Sequence, residues 1–187
     1  LSLAGLAAWL YTQFVAPWLR PRRFVVERVD RHGSTAELTL RPEGRAMRWR
    51  PGQFAFVSAS GAGMAEPHPF TIASAPAADG SLRFGVKALG DWTRRLPERL
   101  APGQHIKIDG PYGRFVFRKR APRQVWLAGG IGITPFLAWA DALTDADRQQ
   151  IVLVWAVNTP AEAFAAERLA AIAARHPGFR LHIVASA

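Results

Sequence analysis

The spacing of apolar and polar residues changes twice along this chain, and each change predicts a different kind of element. From residue 24 to 117 the period is two. Ala36, Leu38 and Leu40 alternate with Glu37 and Thr39, and Leu82, Phe84, Val86 and Ala88 alternate with Arg83, Gly85 and Lys87. Ile106 and Ile108 alternate with Lys107 and Asp109. Such runs turn one face to a core and the other to water. Turn clusters separate them at His32-Gly33-Ser34, Arg50-Pro51-Gly52, Ala78-Asp79-Gly80 and Ala101-Pro102-Gly103. Short strands at this spacing predict a small antiparallel β-barrel. One helix over 91–99 interrupts it, with Asp91 as its predicted N-cap.

After residue 121 the strands become almost wholly apolar. Residues 124–128 (QVWLA) and 151–157 (IVLVWAV) read as buried strands. A glycine turn and a helix over 134–143 lie between them. A second helix over 161–175 follows, with Phe164, Leu169, Ile172 and Ala173 near one face, and residues 180–185 begin a third strand. The order β-α-β-α-β predicts a parallel sheet with crossover helices. The fold class is therefore α+β and α/β: a small antiparallel β-barrel over 24–120, then a partial parallel β-α-β nucleotide-binding domain over 121–187. The parallel part stops after three strands, so it is expected to be incomplete.

Residues 1–19 (LSLAGLAAWLYTQFVAPWL) form an apolar run in which Ser2, Thr12 and Gln13 are the clearly polar positions. Trp9, Tyr11 and Trp18 are placed for an interfacial aromatic belt, and Arg20, Arg22 and Arg23 follow. That order fits the end of a membrane helix with a cytoplasmic domain after it. Pro17 would end its last regular turn near Ala16. The alternative is an amphipathic helix packed on the domain. A signal peptide would carry its basic residues before the apolar run. The chain opens at Leu1, and with the early stop it reads as part of something longer.

Composition narrows the function classes. The 187 residues are 49% apolar and 20% charged, which excludes a disordered tail. The net charge is +10, carried mostly by arginine, since only Lys87, Lys107 and Lys119 are lysines. The arginines are scattered over predicted loops and strand edges, without a basic helix or dense run. That suits solvated surface near anionic lipid or a phosphate ligand, and no nucleic-acid partner is expected. The absence of Cys excludes disulfides, Cys-ligated zinc and Cys-held iron–sulfur clusters within this segment. No metal-binding set is read.

Three segments carry candidate chemistry. Gly129-Gly130-Ile131-Gly132-Ile133-Thr134-Pro135 lies between a strand and a helix, where glycines admit a diphosphate close to the backbone and the helix dipole attracts its charge. It departs from G-x-G-x-x-G, because Pro135 takes the sixth position from Gly130. His68-Pro69-Phe70-Thr71-Ile72-Ala73-Ser74 and Val86-Lys87-Ala88-Leu89-Gly90-Asp91-Trp92-Thr93 add an aromatic plate, hydroxyls, a lysine and a helix N-terminus. Each alone could be an ordinary strand or capped helix. Together they supply what a flavin needs.

With Pro51-Gly52-Gln53-Phe54 and Gly110-Pro111-Tyr112-Gly113, these motifs span nearly all of residues 24–186. The sequence resembles the ferredoxin–NADP reductase superfamily, and within it the dehydrogenase half of the ferric reductase / NADPH oxidase family. The resemblance implies an FAD barrel followed by an NAD(P)H domain. His68, Pro69, Phe70 and Thr71 would line the flavin ring and ribityl chain, with Ser74 in the same motif and Thr71 as the catalytic candidate near flavin N5. Lys87, Gly90, Trp92 and Thr93 would hold the FAD diphosphate. Gly129, Gly130, Gly132, Thr134 and Pro135 would face the nicotinamide nucleotide. The family implies an NAD(P)H-dependent oxidoreductase that passes electrons to a haem in an upstream membrane part, and from there to ferric iron or oxygen. That places the domain at the cell inner membrane, facing the cytoplasm. The other reading is a soluble or peripheral flavin reductase feeding an iron–sulfur partner. Where NADPH-selective members often carry an Arg after the second strand of the nucleotide domain, this chain has Asn158-Thr159-Pro160.

Overall fold

A computed structural model describes residues 2–10, 21–60, 64–117 and 121–186. A helix, α1 (Leu3–Leu10), comes first. The rest of the predicted membrane segment, with Tyr11, Trp18 and Arg20, lies outside the described residues. Among the described residues no helix is long and apolar enough to cross a membrane.

The period-two region forms β1 (Arg22–His32), β2 (Thr35–Pro42), β3 (Phe54–Ala59), β4 (His68–Thr71), β5 (Leu82–Lys87) and β6 (His105–Tyr112). All of their pairings are antiparallel, in the order β4-β3-β6-β1-β2-β5. The sheet curls until its two ends meet. They touch through the bridge Ile72–Phe84 and the Ala73 N–H donating to the Arg83 carbonyl at 2.7 Å. The inward residues of the alternating pattern, including Phe24, Leu38, Leu40, Phe84, Ile106 and Ile108, are fully buried. Each such side chain contributes roughly 1.5–3 kcal/mol of burial free energy.

Helix α2 (Asp91–Arg99) begins one residue differently from expectation. Gly90 is the N-cap and Asp91 the first helical residue. Thr93 Oγ1 does the capping: it accepts the Gly90 N–H at 2.9 Å and the Leu89 N–H at 3.0 Å, and donates to the Gly90 carbonyl at 3.0 Å. Asp91 instead places its charge in the first turn, where the helix dipole favours it.

The second region contains β7 (Arg123–Gly129), a 3₁₀ turn (Gly130–Ile133), α3 (Thr134–Asp141), β8 (Gln150–Val157), α4 (Ala166–Arg175) and β9 (Phe179–Ala185). The strands are parallel in the order β7-β8-β9. Strands in chain order with crossovers of one hand put both helices on the same face. Leu137, Leu169 and Ile172 accordingly pack with Ile151, Leu153 and Trp155 in one buried cluster. The opposite face is not covered by the described residues: Val125 is 67% and Leu127 69% exposed. The expectation of a buried apolar first strand therefore holds for one face only.

The predicted helix over 161–175 is also shorter at its start. Pro160–Glu162 is a 3₁₀ turn, and α4 starts at Ala166. The break frees Phe164 from any helix face. Its ring meets Trp155 edge-on at 5.8 Å and lies 6.2 Å from His32 of the barrel.

Candidate functional site

The closing seam of the barrel makes the site. β4 pairs with β3 along its whole length, from Val57–His68 to Phe54–Thr71. Its other edge joins β5 only at Ile72, just beyond Thr71. A cleft of about 390 Å³ occupies that opening. His68, Pro69, Phe70 and Thr71 line one side, and Gly85, Lys87, Leu89 and Thr93 another. Ile131, Gly132 and Thr134 of the glycine turn reach in from the second domain.

The aromatic plate is built in layers. Trp92 stacks on Phe70 with ring centroids 5.7 Å apart and planes at 26°, and Phe70 meets Phe84 edge-on at 6.3 Å. His68 sits 4.3 Å from Trp92 on the same stack. Trp92 thus supports the lining residues from behind and is not itself part of the cleft wall. Trp92 Nε1 and His68 Nε2 are buried without a hydrogen-bond partner among the described residues. Glu66 Oε2 lies 3.8 Å from His68 Nε2. Buried polar atoms of this kind are costly unless a partner reaches them.

The second domain contributes mainly backbone. Gly130 sits at φ +48°, a left-handed conformation that suits glycine. Its carbonyl accepts Trp155 Nε1–H at 2.9 Å, which fixes the turn onto β8. The Thr134 hydroxyl donates to the Ile131 carbonyl at 3.2 Å. A Cβ built on Gly129 or Gly132 would meet no atom within 4 Å, so both positions leave the backbone open to a ligand. A second cleft, about 490 Å³, runs from Gly129, Gly130 and Ile131 across the ends of β8 and β9, at Ala156, Asn158 and Val184. It lies at the carboxyl ends of parallel strands, where ligands of open α/β sheets bind.

The two clefts adjoin, with Lys87, Leu89 and Ile131 lining both. Close approach is possible because residue 85 has no side chain: a Cβ there would come within 2.9 Å of Thr134 Cγ2 and 3.2 Å of Ile131 Cδ1. Lys87 Nζ bonds Glu162 Oε2 at 3.2 Å across the junction. The Asn158 side-chain amide first, and then the Lys87 ammonium, hold the Glu162 carboxyl below its usual range.

Of the residues expected from sequence, His68, Pro69, Phe70, Thr71, Lys87, Thr93, Gly132 and Thr134 surround the first cleft. Gly129, Gly130 and again Lys87 line the second. Trp92 is one layer back, behind Phe70, and Gly90 is the exposed N-cap of α2, outside both linings. Pro135 is in the first turn of α3, outside both linings. Ser74 is 6% exposed, and its hydroxyl accepts the Arg83 N–H at 3.1 Å, so it buttresses the seam. Gly85 and Glu162 fall outside the three candidate segments, and Leu89 lies within one without a role read for it. A glycine inside a strand is a sequence signal for close approach; Leu89 and Glu162 give no comparable signal.

The residues fit a flavin and a dinucleotide: an open strand seam, an apolar plate, unpartnered polar atoms and an unobstructed glycine turn. Comparison with known proteins agrees. An FAD-binding domain family matches residues 25–116, and an oxidoreductase NAD-binding domain family matches residues 126–187. The chain is 32% identical over 142 residues to NADPH oxidase 1 of Mus musculus, covering 72% of this chain and 23% of that protein. It is 32% identical over 140 residues to the glycine betaine monooxygenase reductase subunit of Chromohalobacter salexigens, covering 73% of this chain and 38% of that protein. It thus spans about a quarter to two-fifths of the length of these relatives. The fold is similar to the flavohem-like FAD/NAD-binding domain of nitric oxide dioxygenase from Vibrio cholerae, with TM-score 0.78 and 21% identity over 88% of this chain and 73% of that one. The chain belongs to the ferredoxin–NADP reductase superfamily, as an FAD-binding barrel followed by an oxidoreductase NAD-binding domain.

Proposed function

We propose that this chain is the flavin and nucleotide part of a membrane flavocytochrome facing the cytoplasm at the cell inner membrane. When bound, NAD(P)H supplies a hydride and FAD accepts it and releases the electrons singly, toward a membrane haem and then ferric iron or oxygen. The observation that carries this reading is the shared wall of Lys87, Leu89 and Ile131 between the two clefts. A donor in one and an acceptor in the other would be held edge to edge, which is the main requirement of hydride transfer.

The residues divide the work by position. Phe70, supported by Trp92, presents a flat apolar surface for the flavin ring, and His68 and Pro69 extend it. The Thr71 hydroxyl, on the cleft wall, would offer the flavin a hydrogen bond near its reactive nitrogen. The Lys87 charge suits the FAD diphosphate, as does the amino end of α2 at Gly90, where the Thr93 hydroxyl is taken up in capping the helix. Gly129, Gly130, Gly132 and Thr134 accept the nucleotide through open backbone, and Pro135 stiffens the first turn of α3 behind them. Ser74 keeps the seam closed.

Likeness to a monooxygenase reductase subunit supports a second reading, a peripheral reductase that feeds an iron–sulfur partner. The full-length protein separates the two. A dithionite-reduced minus oxidised spectrum of purified membranes should show haem bands together with flavin bleaching. Flavin with iron–sulfur absorbance and no haem would favour the second reading. In either case Thr71→Ala should slow flavin reduction about 3- to 10-fold, the worth of one hydrogen bond, at unchanged FAD content. An unaltered rate would remove Thr71 from the chemistry.

A further inference from the structure

The two domains are tied by a second electrostatic contact, outside the lining of both clefts. Arg168 lies on α4 of the NAD-binding domain. Its Nε donates to Asp141 Oδ1 at 3.0 Å, and its Nη2 also bonds Asp141 Oδ2; Asp141 ends α3 of the same domain. The other contacts cross to the barrel. Nη1 donates to Glu37 Oε1 on β2 at 2.8 Å, and Nη2 donates to the Ala73 carbonyl at 2.8 Å. The three side chains are 18%, 13% and 20% exposed, so water screens them little.

The target on the barrel matters. Ala73 follows Ile72 of the closing bridge, two residues after Thr71, and its N–H holds β5 through Arg83. Arg168 therefore grips the seam just beyond Thr71 of the flavin cleft from the domain that carries the glycine turn. The guanidinium meets four acceptor atoms of three residues with a rigid planar fork of donors, which an ammonium with three rotatable donors does not match. Lys87–Glu162, a further charged tie, has its lysine on the cleft wall, where a ligand phosphate competes for it. Arg168 lines neither cleft, so its grip does not depend on what is bound.

We infer that Arg168 is a positioning residue: through Glu37 and the Ala73 carbonyl it fixes the nucleotide domain against the flavin seam and so sets the donor–acceptor distance. This rests on the function proposed above. The test compares Arg168→Lys, Glu37→Gln and Asp141→Asn in the full-length holoprotein. Arg168→Lys and Glu37→Gln break the link across domains, whereas Asp141→Asn breaks a link inside one domain. The first two should lower the limiting rate of flavin reduction per bound FAD at least tenfold, with nucleotide KM within twofold of wild type. Amide exchange of 85–87 and 131–134 should rise about tenfold, while 38–40 and 153–155 stay protected. Asp141→Asn should have the smaller effect on rate.

A merely structural role predicts the reverse: a lower melting temperature, most for Asp141→Asn, faster exchange throughout, and an unchanged rate per bound flavin. That result, or unaltered junction exchange in Glu37→Gln, overturns the inference. A wild-type protein whose flavin no nucleotide reduces would instead fell the proposed function, and the exchange comparison would still decide whether Arg168 couples the domains.

Discussion

The two walls of the site are made in opposite ways. The barrel wall is made of side chains: Phe70 on Trp92, the Thr71 hydroxyl and the Lys87 ammonium. The wall from the NAD-binding domain is made of what side chains would obstruct: Gly129, Gly130 and Gly132, with Trp155 gripping the turn from below. The difference teaches how each wall fails. The first should fail when groups are removed, the second when groups are added.

The largest effect is expected for Phe70→Ala. Removing a half-buried aromatic ring packed against Trp92 and Phe84 should cost about 2–3 kcal/mol, seen as a lower melting temperature and FAD lost on gel filtration. Trp92 and His68 would lose their support together, whereas the Gly130–Trp155 bond should survive. Retained stoichiometric FAD would show that the plate is not where the ring rests.

Gly130→Val tests the other wall. A β-branched side chain at φ +48° is strained by about 1–3 kcal/mol, and its methyls would stand beside Lys87 at the shared edge. Nucleotide affinity, from the concentration dependence of flavin bleaching, should fall by one to two orders of magnitude with FAD content intact. A variant that loses FAD first would erase the distinction between the walls.

The smallest effect belongs to the tie between them. The Glu162 carboxyl is held below its usual range by Asn158 and then Lys87. Because its folded pKa is depressed, the stabilisation is complete above the ordinary glutamate pKa and disappears as pH falls through the lowered value. The melting difference between wild type and Glu162→Gln should be flat from about pH 6 to 8 and shrink as pH falls below the ordinary glutamate range. A difference that changes around neutrality would mean that another group governs the contact.

The same contrast explains what the sequence makes legible. Local signals predict the barrel strands, the glycine turns and the three site segments, because alternation and turn chemistry act over a few residues. HPFT, which is the whole of β4, and the glycine turn at the end of β7 come together at the first cleft. Side-chain pairing across domains leaves no such trace: Arg168 and Glu37 are 131 positions apart, and neither stands out from other charged residues. Ser74 and Trp92 belong to recognisable motifs, but the sequence does not say that Ser74 is bonded to the seam or that Trp92 stacks behind Phe70. The apolar run of β7 reads as buried because sequence reports composition, not which face its neighbours cover.

The central claim is that a nucleotide and a flavin meet across Lys87, Leu89 and Ile131. Anaerobic stopped-flow mixing of the full-length protein with NADH and NADPH, each unlabelled or deuterated at nicotinamide C4, tests it most directly. The account predicts that the flavin bleaches in a single phase, more slowly with the deuterated donor. Flavin that stays oxidised with both nucleotides, or bleaches at a rate indifferent to deuterium in Thr71→Ala as well as in wild type, would contradict it.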